Sequence, residues 1–155
     1  MRLVDVHAHM DYPAFEKDID AVIQRAKEAG VRAVITNGIT PETNRKSLEL
    51  AKRFDIVYAA LGIYPPDQLQ WEAETYSIDL RLGAFNIDDE IAFIRENAEK
   101  TAGIGEVGLD YSRKDMGLDD KKKQQELFLR TIGLAEELNK PLIVHSRKAE
   151  EDVIT

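Results

Sequence analysis

The feature that most constrains this chain is an alternation. Five short apolar runs are separated, with one lapse, by stretches that carry the period of an amphipathic helix. LVDVH (3–7) reads as the first strand. Phe15, Ile19, Val22, Ile23, Ala26 and Ala29 then recur on one helical face, and Gly30 follows where a helix commonly stops. VRAVITNG (31–38) is a second strand, and Thr40 followed by Pro41 reads as the N-cap and first-turn proline of a helix running to about Phe54. IVYAALGI (56–63) is nearly all apolar, as in a strand covered on both faces. Asp88 or Asp89 can cap a helix from about Glu90 to Lys100. AGIGEVGLD (102–110) is the fourth strand, and a helix from about Asp119 to Leu138 leads into PLIVH (141–145), the fifth. Only Tyr64 to Asn86, with YPPDQLQW inside it, breaks the rhythm; a long irregular segment is expected there, of the kind kept for function or as a lid.

Successive βα units of this kind build one parallel sheet with helical crossovers. A (β/α)₈ barrel takes roughly 250 residues, so five of its eight units need about 156; the chain has 155. The expected fold is therefore α/β, of the TIM-barrel type, with about five of eight βα units in a single domain over 1–155 that is C-terminally incomplete. Free-standing, such a piece leaves two strand edges and apolar surface uncovered, so self-association through the open edges is expected.

The net charge of -8, from 29 acidic and 21 basic residues, argues against a broad nucleic-acid-binding face of the non-specific type. It leaves room for a phosphate substrate, because bound cations reverse the field within one cleft. The absence of cysteine excludes disulfides and thiolate metal sites. MRLVDVHAH lacks a signal-peptide apolar stretch, and no run of about 18 apolar residues occurs, so the expected location is cytoplasmic, with no membrane partner.

Within that frame, a few polar residues stand out. His7 and His9 lie two apart at the end of the first strand, so both imidazoles project to one face at the carboxyl end, where α/β barrels place their sites. They are either metal ligands or polar residues that end a strand. Glu106 interrupts GIGEVGL; burying its carboxylate requires compensation by a cation or by a paired arginine or lysine. His145 closes the fifth strand, as a ligand or as a core or rim residue. The three histidines are all the chain has, and together with Glu106 they are expected towards the carboxyl ends of parallel strands. That coincidence favours metal-assisted hydrolysis, in which a Lewis-acidic ion activates water and a pair of ions clamps the attacking and leaving oxygens of a phosphodiester. Glu106, with two oxygens, suits bridging such a pair. Arg147 offers a planar donor fork to a phosphate, or else faces solvent at a helix start. No GxSxG, cysteine nucleophile or P-loop competes, and GIGEVG lacks the GxGxxG spacing. Trp71 and Tyr76 read as packing residues before base-stacking ones.

These residues resemble a known family. DVHAHMD at the first strand, LGIYP at the third, GIGEVGLDY at the fourth and PLIVHSRKA at the fifth are similar, in that order, to the TatD-related metal-dependent deoxyribonucleases among the amidohydrolase-like barrels. The resemblance implies a phosphodiester hydrolase acting on DNA through two divalent ions (Mg, Mn or Zn). It implies His7, His9, Glu106 and His145 as ligands; Glu106 is expected to be central to catalysis, and Arg147 and Tyr64 to contact the substrate, although the family often has histidine where Tyr64 stands. It also implies a histidine from the next strand and an aspartate near the end of the barrel, neither of them within these 155 residues, so nuclease activity is expected only when the missing strands are supplied. Two alternatives remain open: another amidohydrolase-like metal hydrolase, and a non-catalytic half-barrel that needs a partner.

Overall fold

A computed structural model describes residues 2–77 and 82–155. Its centre is a five-stranded parallel sheet whose spatial order equals its chain order: β1 (Leu3–Ala8), β2 (Val31–Asn37), β3 (Val57–Leu61), β4 (Thr101–Asp110) and β5 (Leu142–Arg147). Helices α1 (Ile19–Glu28), α2 (Pro41–Arg53), α4 (Ile87–Glu96) and α5 (Leu118–Leu138) make the crossovers, α3 (Pro66–Tyr76) is inserted after β3, and α6 (Glu150–Ile154) follows β5. This is the expected TIM-barrel type of α/β fold, in five βα units.

The boundaries follow local chemistry. Thr40 caps α2 through a reciprocal capping box with Thr43, and Pro41 occupies the first turn, where its missing N–H costs nothing. Gly30 takes φ 92° just past α1. The helix expected from Phe15 begins instead at Ile19, because Pro13–Phe15 forms a separate 3₁₀ turn. The cap of α4 is Asn86, not Asp88 or Asp89: its side chain accepts from both of their N–H groups, and the aspartates fill the acidic first turn. The largest correction falls in Tyr64–Asn86. This stretch is not irregular throughout, since Pro66–Tyr76 is an eleven-residue helix. Its only buried residues are Gln68 and Leu69, so the apolar period that would have announced it is missing.

The main core joins Leu61, Ile104, Val107 and Leu109 of β3 and β4 to Ile91 and Ile94 of α4 and Leu127, Phe128 and Leu134 of α5. A second cluster packs Ile19 and Ile23 against Val34, Leu50 and Val57. The flanks differ. β1 and β5 each lack a second sheet neighbour among the described residues, and Val4 and Val6 are 60% and 59% exposed. The two uncovered edges expected from the sequence are therefore present, with apolar side chains beside one of them.

Candidate metal centre

The register of the sheet brings the distant polar residues together. β3 ends at Leu61 opposite Ile104, so Glu106, although only midway along the ten-residue β4, emerges beyond the carboxyl end of its neighbour. On the other side Gly108 pairs with His145, and Asp110 with Arg147. Gly108 holds φ 140°, and a Cβ there would overlap the His145 carbonyl, so only glycine lets the two strands approach this closely. β5 runs on to Arg147, which makes Arg147 its last residue and not the start of a helix.

All three histidines converge on Glu106. Its Oε2 lies 3.1 Å from both His7 Nε2 and His9 Nε2, and its Oε1 lies 2.8 Å from His145 Nδ1. No lysine or arginine among the described residues pairs with this carboxylate, whose side chain is 8% exposed. Burial works to raise the Glu106 carboxyl, but hydrogen bonds from His145 and His9 outweigh it and hold the group well below the usual carboxylate range. His9 Nδ1 donates to the Asn37 carbonyl at 2.9 Å, which turns Nε2 towards Glu106, and the ring stacks on Tyr12 with centroids 4.9 Å apart.

The donor set suits a divalent cation. His7, His9 and Glu106 each offer a ligand atom within 4.8 Å of the others. Adjacent donors on a cation with bonds of about 2.0–2.1 Å lie about 3 Å apart, and both imidazole–carboxylate separations are 3.1 Å. Imidazole and carboxylate donors without thiolate accept Zn, Mn and related ions.

Behind His145 lies a second carboxylate that the sequence reading passed over. Asp110 is fully buried, and its Oδ2 is 2.9 Å from His145 Nε2. Tyr64 donates its hydroxyl to the same oxygen at 2.9 Å, the Ser112 N–H donates to Oδ1 at 2.8 Å, and Arg147 Nε lies 3.3 Å from Oδ2. The main chain of Asp110 is gripped twice by Gln124: Asp110 N–H donates to Oε1 at 2.8 Å, and Nε2 donates to the Asp110 carbonyl at 2.9 Å. Burial works to lower the His145 imidazole, yet hydrogen bonds to Asp110 and Glu106 prevail and push it up to about 9. Burial also drives the Tyr64 phenol upward, which keeps it a neutral donor.

Tyr64 is thus buried and committed to Asp110, whereas the half-exposed Arg147 stands at the mouth and also donates to Glu72 at 3.1 Å. Glu72, on α3, went unnoticed because its helix has no apolar period, although Pro66 and Asp67 stand in its first turn as in many helices. Asp110 could have been found, since a carboxylate ending an apolar strand is the signal that singled out Glu106. Asp11, beside His9, is pushed up to about 6 by burial, with one oxygen accepting from Thr36 Oγ1 at 3.0 Å and the other unpaired. Trp71 and Tyr76 pack edge to face on each other.

Comparison with known proteins gives a consistent result. Residues 4–155 match the profile of the family described as TatD related DNase. The chain is 35% identical over 159 residues to the uncharacterized metal-dependent hydrolase YabD of Bacillus subtilis, covering 99% of this chain and 54% of that protein. It is 34% identical to human deoxyribonuclease TATDN3, covering 98% and 54% respectively. The crystal structure of YjjV, a TatD homologue from Escherichia coli, superposes with a TM-score of 0.77 at 30% identity, covering 98% of this chain and 53% of that one. The chain spans about half the length of the curated relatives it matches.

Proposed function

The chain belongs to the TatD-related DNase family, and from that premise we propose that it carries the metal-binding part of a hydrolase that cleaves phosphodiester bonds, with DNA as the substrate. The observation that carries this reading is Glu106: a buried carboxylate with a histidine at each of three approaches and, among the described residues, no lysine or arginine paired with it. The ligands we assign are His7, His9, Glu106 and His145, for two divalent ions drawn from Mg, Mn and Zn.

The residues divide the work by position. Glu106 presents Oε2 to the His7 and His9 side and Oε1 to the His145 side, so its two oxygens would hold ions on either side of it. His9, locked through Nδ1 to the Asn37 carbonyl, offers Nε2 without reorganisation. Divalent ions bound there supply Lewis acidity that makes water a competent nucleophile near neutral pH and balances charge on a phosphodiester. Arg147, half-exposed at the mouth, donates to a phosphate oxygen; Tyr64 reaches the substrate only through Asp110 and Arg147. The acidic surface limits binding of the polyanion to this cleft. No described helix is long and apolar enough to cross a membrane, and we place the protein in the cytoplasm.

The test uses the chain joined to the part of a relative's barrel that the match leaves uncovered. With manganese, this completed protein should release nucleotides from a single-stranded oligonucleotide, and Glu106→Gln should abolish release. Metal binding with turnover only of phosphate monoesters or amides would sink the nuclease assignment while leaving the metal centre intact.

A further inference from the structure

We propose that Asp110 is a positioning residue for His145: it holds the proton on Nε2 so that Nδ1 faces the metal centre with its lone pair available. The proposal rests on the metal-hydrolase reading above. An imidazole binds a cation through one nitrogen, and which one is free is decided by the hydrogen bond at the other. Here the two nitrogens face opposite partners, at 2.8 and 2.9 Å. Nδ1 points at Glu106 Oε1, and Nε2 points away from the centre at Asp110 Oδ2.

Asp110 is built to stay where it is and to stay charged. It is fully buried, so its charge requires compensation, and it receives that from the Tyr64 hydroxyl, the Ser112 N–H and the Arg147 guanidinium. Gln124 fixes its main chain on both polar groups. Neither His145 nor Asp110 belongs to the tight group of His7, His9 and Glu106; His145 joins it through Glu106, and Asp110 stands one imidazole further back. A carboxylate with this many fixed donors presents one oriented acceptor to Nε2, which selects one tautomer and one ring orientation. Arg147 thereby couples the half-exposed mouth of the site to the carboxylate that orients a ligand.

Asp110→Asn tests this at constant size. Asparagine can offer Nδ2–H to His145 Nε2, which shifts the proton to Nδ1 and blocks the lone pair. Zinc binding to the purified chain, followed by calorimetry with His9→Ala as the reference for site occupancy, should weaken about 10–100-fold. In ¹⁵N-labelled, zinc-loaded protein the parent should show a protected His145 Nε2–H that the variant lacks. In a His145→Ala background, Asp110→Asn should weaken zinc no further. A purely structural role would lower the unfolding midpoint without changing affinity or the nitrogen signature. If Asp110→Asn does not fold, Tyr64→Phe removes one donor to Asp110 and should give a smaller loss of zinc affinity in the same direction. A parent chain that takes up no zinc refutes the metal-centre reading and this inference with it. Zinc bound equally by parent and variant refutes the inference alone.

Discussion

Replacing Gln124 with leucine isolates the clamp between α5 and the end of β4. Gln124 is 6% exposed and Asp110 fully buried, so water cannot take over the hydrogen bonds that leucine removes. Two are lost at once: Asp110 N–H to Oε1 at 2.8 Å and Nε2 to the Asp110 carbonyl at 2.9 Å. A buried polar group left without its partner costs about 1–3 kcal/mol, and two of them about 2–6 kcal/mol, offset by roughly 1–2 kcal/mol from the more apolar side chain. Taking the middle of each range, the expected net loss is about 2.5 kcal/mol, a fall in melting temperature of roughly 5–10 °C for a chain of this size. Urea unfolding followed by far-UV circular dichroism should show a lower midpoint with an unchanged slope. Gln124→Glu separates hydrogen bonding from packing. At pH 8 it keeps an acceptor for the N–H but opposes a carboxylate to the carbonyl, and the loss should shrink towards pH 4, where a protonated glutamate donates again. A leucine variant within about 0.5 kcal/mol of the parent, the range typical of neutral substitutions, would refute the clamp.

Three further outcomes are expected. In the metal-free chain the His145 imidazole, at about 9 when folded, lies above its ordinary 6.5, so its contribution to stability is fully present below pH 6.5 and is lost as pH rises through 9; urea midpoints should fall over that window, and less steeply in His145→Ala. Gly108→Ala puts a Cβ at φ 140° against the His145 carbonyl; backbone strain alone costs about 1–3 kcal/mol, and the displaced His145 should also lower zinc affinity, both measurable on the same preparation. The exposed Val4 and Val6 beside the uncovered edge of β1 should drive self-association, seen as species beyond the monomer in sedimentation and reduced by Val6→Lys; a concentration-independent monomer would count against it.

The fold was legible where burial on both faces leaves a continuous apolar run. VRAVITNG, IVYAALGI and AGIGEVGLD each announce a strand of a covered parallel sheet, and Thr40 with Pro41 announces the helix between two of them. What escaped was α3, for a reason that follows from its packing. It rests on the rim through Gln68, Leu69, Glu72 and Ala73, a face that is half polar, so its burial leaves no apolar period in the sequence. Glu72, which joins Arg147 and Gln68 above the centre, was hidden along with its helix.

The site was legible by residue type and illegible by connection. His7, His9, Glu106 and His145 could be singled out because imidazole or carboxylate at an apolar strand end is costly unless something uses it. Asp110 meets the same criterion but has a different environment. Glu106 faces three imidazoles and no lysine or arginine among the described residues, whereas Asp110 faces one imidazole, a phenol, a main-chain N–H and a guanidinium. In the first set an added cation can take the place of the imidazole protons as the compensating charge, whereas the second is compensated by fixed donors that no cation replaces. That difference separates a ligand from the residue that aims one, and it arises from contacts spanning 35 positions to His145 and 46 to Tyr64, beyond the reach of any local pattern. The closing residues of GEVGLD and of IVHSR therefore have to be read across two adjacent strands: β4 supplies Glu106 and, four residues later, Asp110, and β5 supplies the imidazole held between the two carboxylates.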